Sequence, residues 1–224
     1  KDNSKLDCRI KGLEHLSPAR VIIDRNHKLK KKLIVSLTSY PKRFRTLPLV
    51  LDSIMKQTVL PDKIILWIEN KDKEKLPSTV LNFKGINIEF CENGLLSYKK
   101  IIPSLRKFRN SYIITLDDDF VYSKNTIEKL VLNSRKFPND VIVNRIHKIN
   151  TINNYPARYR LWSHNYVKKT KFAFFTNGAG ALFPPNCFYK DVLKKNCFKK
   201  LTPYADDIWL NWMVRLNKTN IRFS

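Results

Sequence analysis

The chain has 224 residues, a formal charge of +24 from 43 Lys or Arg against 19 Asp or Glu, and a hydrophobic fraction of 43%. That much apolar material fills the core of one domain and excludes a disordered basic tail, while only 5 glycines exclude collagen-like and glycine-rich chains. No apolar run reaches the roughly 18 residues of a membrane-spanning helix, and the start at Lys1, without an initiator Met or an apolar leader, reads as a piece of a longer protein.

Residues 1–32 form a basic N-terminal segment without periodicity, ending in Lys28-Leu29-Lys30-Lys31-Lys32. A single domain is expected over 33–224. Leu33 to Leu37 is an apolar run of strand length. Leu47, Val50, Leu51 and Ile54 recur at helical spacing and predict an amphipathic helix. A second buried strand is expected over 63–68, a polar loop over 69–75 and a third strand over 86–90. A helix is expected after Pro103, which suits a first helical turn, and a fourth strand over 112–116. Asn125 and Glu128 have the spacing of a capping box, ahead of a helix whose buried face is Ile127, Leu130 and Val131. Val141 to Val143 is a further strand, and residues 150–171 are aromatic and basic with no clear period. Asp206 and Asp207 open a last helix, with an expected buried stripe of Trp209, Trp212, Met213 and Leu216.

Short strands alternating with helices predict an α/β fold with a mostly parallel central sheet flanked by helices. Ligands of such sheets bind beyond the carboxyl ends of the strands. There the sequence places Asp117-Asp118-Asp119, directly after the fourth strand. In an extended backbone Asp117 and Asp119 point one way and Asp118 the other. Carboxylates so close repel unless a cation or hydrogen-bond donors stand between them. A divalent metal meets that need, and such ions usually also hold substrate phosphates. Asp206 and Asp207 suit a helix start, and a carboxylate held there can also take a proton from a hydroxyl. Gly178 and Gly180 allow close approach of backbone to a ligand, although no dinucleotide or Walker pattern surrounds them. His15, His27, His147 and His164 are isolated, and no Ser-His-Asp or Cys-His pattern is present. Cys8, Cys91, Cys187 and Cys197 are widely spaced and read as reduced thiols of a cytosolic protein.

Taken in order, these segments resemble the GT-A-fold glycosyltransferases of bacteria. Thr38-Ser39-Tyr40-Pro41-Lys42-Arg43 and the following helix resemble the family's opening, and Asp117-Asp118-Asp119 resembles its Asp-x-Asp motif. Asn177-Gly178-Ala179-Gly180 resembles its acceptor-side glycine segment, and Asp206-Asp207 resembles the acidic pair that supplies the base in inverting members. The resemblance spans about Leu33 to Leu216. It implies a Rossmann-like GT-A sheet and a metal-dependent enzyme of surface polysaccharide synthesis. A sugar would pass from a nucleotide-sugar donor to a saccharide or lipid-linked acceptor with inversion.

By the same resemblance, Asp119 and Asp117 would hold Mn²⁺ or Mg²⁺ on the diphosphate. Thr38, Tyr40, Arg43, Lys99, Lys100, Asp117 and Asp118 would line the donor site. Asp207 would be the base and Asp206 its orienting partner. Gly178, Ala179, Gly180, Trp162, His164 and Trp209 would form the acceptor side. No His follows His164, so the C-terminal metal ligand of many such families has no histidine counterpart here. The remaining positive charge, including Lys28 to Lys32 and Lys168 to Lys171, fits peripheral contact with the anionic inner face of the cell membrane. Two rival readings remain at this stage: a basic nucleic-acid-binding domain and another metal-dependent phosphotransfer enzyme. Nucleic acid is not the expected partner, because zinc-finger, RRM and KH signatures are absent and an acidic triplet at the binding edge repels phosphate.

Overall fold

The structure, a computed structural model, describes residues 25–168 and 170–224. The expected basic segment is thus described only from residue 25, and Cys8, His15 and Lys169 lie outside the described residues. Strand β1 (Leu33–Thr38) is followed by helix α1 (Leu47–Met55) and strand β2 (Lys63–Glu69). The expected polar loop is a 3₁₀ turn, Asn70–Lys75, leading to the short helix α2 (Ser78–Leu81) and strand β3 (Asn87–Cys91). A 3₁₀ turn at Leu96–Lys100 runs into α3 (Ile102–Lys107), with Pro103 in its first turn as expected. Then come β4 (Tyr112–Thr115), α4 (Thr126–Lys136) and β5 (Val141–Val143).

The stretch without sequence periodicity lies between β6 (Ile146–Lys148) and β9 (Ala173–Phe175) and holds only the short strands β7 (Thr151–Ile152) and β8 (Tyr155–Pro156) and a 3₁₀ turn at Tyr159–Leu161. The chain closes with β10 (Ala181–Phe183), α5 (Lys195–Leu201), α6 (Asp206–Leu216) and β11 (Ile221–Phe223).

Seven strands make one sheet in the order β11-β5-β10-β4-β1-β2-β3. All pairings in it are parallel except those of β10, which runs antiparallel to both β4 and β5. Alternate residues of the central strands enter two separate cores. Leu33, Val35 and Leu37 pack with Leu47, Leu51 and Leu130 on one face, and Ile34 packs with Ile102, Phe198 and Leu210 on the other. This two-sided burial explains why β1, β2 and β4 read as unbroken apolar runs. Each fully buried Leu or Ile contributes roughly 1.5–3 kcal/mol. Ser36, buried in β1, satisfies its hydroxyl with the Lys100 carbonyl and Ser104, which ties the sheet to the segment before α3.

Two local expectations fail for tertiary reasons. Asn125 makes no side-chain cap on α4. Gln57 does that work from another element: its Oε1 accepts the Ile127 N–H at 2.9 Å, and its Nε2 donates to the carbonyls of Ser53 and Ser123. Glu128 is drawn off to Thr58. In α6 the buried face is Trp209, Leu210, Met213 and Val214, while Trp212 and Leu216 face outward. The expected stripe was offset because sequence spacing alone does not reveal which apolar positions meet the sheet.

Candidate active site

The carboxyl ends of β1, β2 and β4 open into a cavity of about 730 Å³. Thr38, Tyr40, Arg43, Lys99, Lys100, Asp117, Asp118, Asp119, Asp206 and Asp207 all line it. The parallel pairing of β1 with β2 and β4 brings three chain reversals to the same edge. Residues more than 160 positions apart thereby share one space.

The acidic triplet is held by cations of this chain. Arg43 Nη1 lies 2.5 Å from Asp118 Oδ1 and 3.0 Å from Asp119 Oδ2. Lys100 Nζ lies 2.5 Å from Asp117 Oδ1 and 3.4 Å from Asp206 Oδ2. Burial works against the Lys100 charge, but Asp206, Asp117 and Asp207 outweigh it and hold its pKa above the ordinary lysine value. Lys99 is also buried, with its ammonium on the Ser39 carbonyl at 3.1 Å and 4.0 Å from Glu69. Thr38 spends its hydroxyl on the Trp67 carbonyl, and Tyr40 stands at the rim with the Arg43 guanidinium 5.5 Å from its ring centre.

The two acids at the start of α6 differ in setting. Asp207 Oδ1 accepts the backbone N–H of Asn177 at 2.9 Å, and Asp206 Oδ2 accepts the Asn177 side-chain amide at 3.2 Å. Burial, with the neighbouring Asp206 second, pushes the Asp207 carboxyl up to about 7; Lys100 and the Asn177 N–H act in the opposite direction. Such a carboxylate is poised between acid and base near neutrality.

Three contributors escaped the sequence reading. Asn177 holds both acids. Tyr122 accepts the Asp117 N–H at 2.7 Å and donates to the Gly178 carbonyl at 2.7 Å, so it clamps the triplet to the glycine segment. Glu69, at the end of β2, accepts the Gly94 N–H and pairs with Lys71 at 2.8 Å. Burial opposes its charge, yet Lys71 and Lys99 keep its carboxyl below the usual range. Position after a strand was the one available signal for Glu69.

The expected acceptor residues do not come together. Trp209 is 5% exposed, its indole N–H bonds the Val192 carbonyl, and its ring packs on Phe198. It is a core residue and does not line the cavity. Trp162 and His164 belong to an aromatic cluster with Tyr159, His147 and Phe174 and do not line the cavity. Gly180 (φ +103) is buried against Leu116 and Leu130, and the Ala179 carbonyl accepts the Asn144 amide. These two serve the β5–β10 junction. Of Gly178, Ala179 and Gly180, Gly178 is the one set against the acidic triplet: a Cβ built on it would stand 2.5 Å from Asp117 Oδ2.

Among the described residues no three His, Cys, Asp or Glu side chains converge to cage a metal. The donor set nevertheless fits a hard ion that keeps phosphate and water ligands. Asp119 is the open carboxylate, with 44% of its side chain exposed. Asp118 Oδ2 is buried without a hydrogen-bond partner.

No curated protein sequence matched. Solved structures match in fold at low identity. A 4-diphosphocytidyl-2C-methyl-D-erythritol synthase from Anaerococcus prevotii aligns at 13% identity and TM-score 0.56, over 87% of this chain and 88% of that one. TarS 1-349 of S. aureus, in complex with UDP-GlcNAc, aligns at 14% identity and TM-score 0.54, over 86% of this chain and 56% of that one. A CMP:2-keto-3-deoxy-manno-octonic acid synthetase complexed with CTP aligns at 11% and 0.53, over 86% and 89%. The sequence model of glycosyl transferase family 2 matches residues 37–197, most of the GT-A-like sheet and the acidic triplet with it, and the chain belongs to that family.

Proposed function

We propose that this glycosyltransferase transfers a sugar from a nucleotide-sugar donor to a hydroxyl of a saccharide or lipid-linked acceptor in surface polysaccharide synthesis, with inversion and with help from a divalent metal. The observation that carries this reading is the placement of Asp207. It is half-buried and lines the same cavity as the acidic triplet, with Oδ1 fixed by the Asn177 N–H. Its other oxygen, Oδ2, is left to take the acceptor proton.

In this reading the acceptor oxygen attacks the anomeric carbon from the face opposite the leaving group. The bond from that carbon to the diphosphate oxygen breaks, and the nucleoside diphosphate leaves with the electron pair. The hydroxyl proton passes to Asp207 Oδ2. Asp206, held by Asn177 and Lys100, fixes the orientation of the pair. Asp119 and Asp117 would hold Mn²⁺ or Mg²⁺, which supplies charge neutralisation on the leaving diphosphate when bound. Arg43, a planar donor at the rim of the triplet, is suited to a phosphate oxygen. Glu69 and Thr38, which also line the cavity, would meet the nucleoside.

The test is a thermal-shift and hydrolysis screen of nucleotide sugars with and without Mn²⁺. A true donor at about 100 times its Kd stabilises the native state by about 2.7 kcal/mol. A shift that requires Mn²⁺ and is abolished in Asp119→Ala supports the reading. The absence of a shift with every nucleotide sugar overturns it.

A further inference from the structure

We propose that the outward face of α6 docks on an anionic lipid surface. Solvent-facing helix positions normally carry polar residues. In α6 the exposed positions are Ile208, Trp212 and Leu216, spaced i, i+4 and i+8 on one face. Trp212 is 58% exposed, more than half of a large indole in water. The polar side chains of the helix are turned away: Asp206, Asp207 and Asn211 serve the cavity and β9, and Arg215 donates to the carbonyls of Lys171 and Ala173. Just ahead of the helix, Leu201 and Tyr204 are exposed as well.

Charge selects the occupant. Exposed Lys199 and Lys200 end α5, exposed Lys218 follows α6, and the Arg215 bond to the Lys171 carbonyl, 2.8 Å, brings the Lys168 and Lys171 run to the C-terminal end of the helix. From Lys194 to Ser224 the only acids are Asp206 and Asp207, and both line the cavity. An apolar face with Trp and Tyr, flanked along the chain by exposed lysines, is the pattern that seats a helix in the headgroup layer of an anionic bilayer. Pairing with a second copy would set these lysines against each other, which opposes association. No helix among the described residues is long and apolar enough to cross a membrane, so the contact is a peripheral one.

The site gains a direction from this contact. Tyr204 lies beside the exposed face and also lines the cavity with Asp207. An acceptor carried by a lipid would therefore meet Asp207 from the membrane side. That consequence rests on the proposed function, but the docking itself does not.

The experiment is co-sedimentation of the full chain with vesicles, without donor, so that its outcome is separate from glycosyl transfer. The wild type should sediment with phosphatidylcholine–phosphatidylglycerol vesicles and not with phosphatidylcholine alone. The variant Ile208→Ser/Trp212→Ser/Leu216→Ser should lose at least about tenfold in partitioning, with its circular dichroism and its nucleotide-sugar hydrolysis unchanged. Lys199→Gln/Lys200→Gln/Lys218→Gln should weaken binding to anionic vesicles in the same direction. If the triple serine variant is unfolded, Trp212→Ser alone serves, with a several-fold loss expected. Undiminished binding by a folded serine variant overturns the proposal, as does equal binding to neutral vesicles. A wild-type dimer that the serine substitutions split would assign the face to a second copy instead. Binding of soluble dextran sulfate that the serine substitutions weaken as much as vesicle binding would assign it to an anionic saccharide.

Discussion

Gly178 approaches Asp117 so closely that a Cβ on the glycine would stand 2.5 Å from Asp117 Oδ2. The first acid of the triplet is thus pressed against the backbone that follows β9, and Tyr122 fastens the two together. Gly178→Ala should displace the Asp117 carboxylate from Lys100. Misplacement of a positioning group by about 1 Å can cost on the order of 10²-fold in rate. We expect kcat/KM to fall roughly tenfold to a hundredfold with the fold intact by circular dichroism. Wild-type kinetics in this variant would remove Asp117 from the donor site.

Asp207 governs the predicted pH dependence. In the proposed role of base it must be ionised, and its carboxyl is pushed up to about 7 by burial and Asp206. Activity should rise with pH through that value. Asp207→Asn should lower kcat by roughly 10²–10⁴-fold and remove this limb from the residual activity. The stability effect has a definite sign. A carboxyl whose folded pKa lies above its unfolded value binds more protons when native, so stability falls as pH rises from about 4 to about 7. Asp207→Asn should therefore melt higher than the wild type at pH 8 and lose that advantage at pH 4. A melting temperature that drops at pH 8 would contradict the assignment.

Lys100 is a buried cation shared by Asp117 and Asp206. Lys100→Met leaves Asp117 and Asp206 without their ammonium. Loss of one partner from a buried charge cluster costs about 3–5 kcal/mol, which urea unfolding will read directly. The double variant Lys100→Met/Asp206→Asn should recover part of that loss, since the two residues interact. Strict additivity would show that the pair is not coupled.

Gln57 substitutes for the missing cap of α4. Gln57→Ala removes the acceptor of the Ile127 N–H and two buried donations. An unsatisfied buried group costs about 1–3 kcal/mol. The denaturation midpoint should fall accordingly, whereas Asn125→Ala should leave it nearly unchanged.

The sequence by itself determined the framework. Runs such as Leu33 to Leu37 and Tyr112 to Thr115 read as strands because they are buried on both faces, and that burial is written into their composition. The spacing of Leu47, Val50, Leu51 and Ile54 gave α1 for the same reason. The acidic triplet was visible because it follows such a run, at the edge where α/β sheets bind ligands.

Only the tertiary structure decided which groups meet across long separations. Asn177 reaching both acids of α6, Tyr122 bridging Asp117 to Gly178, and Gln57 capping α4 from 70 residues away depend on chain path. The antiparallel insertion of β10 between β4 and β5 sets that path on the acceptor side. The packing of α6 against β9 decides that Trp209 enters the core while Trp212, three residues on, is left largely in water. Local periodicity records how apolar a face is; what covers that face is a property of the packed molecule.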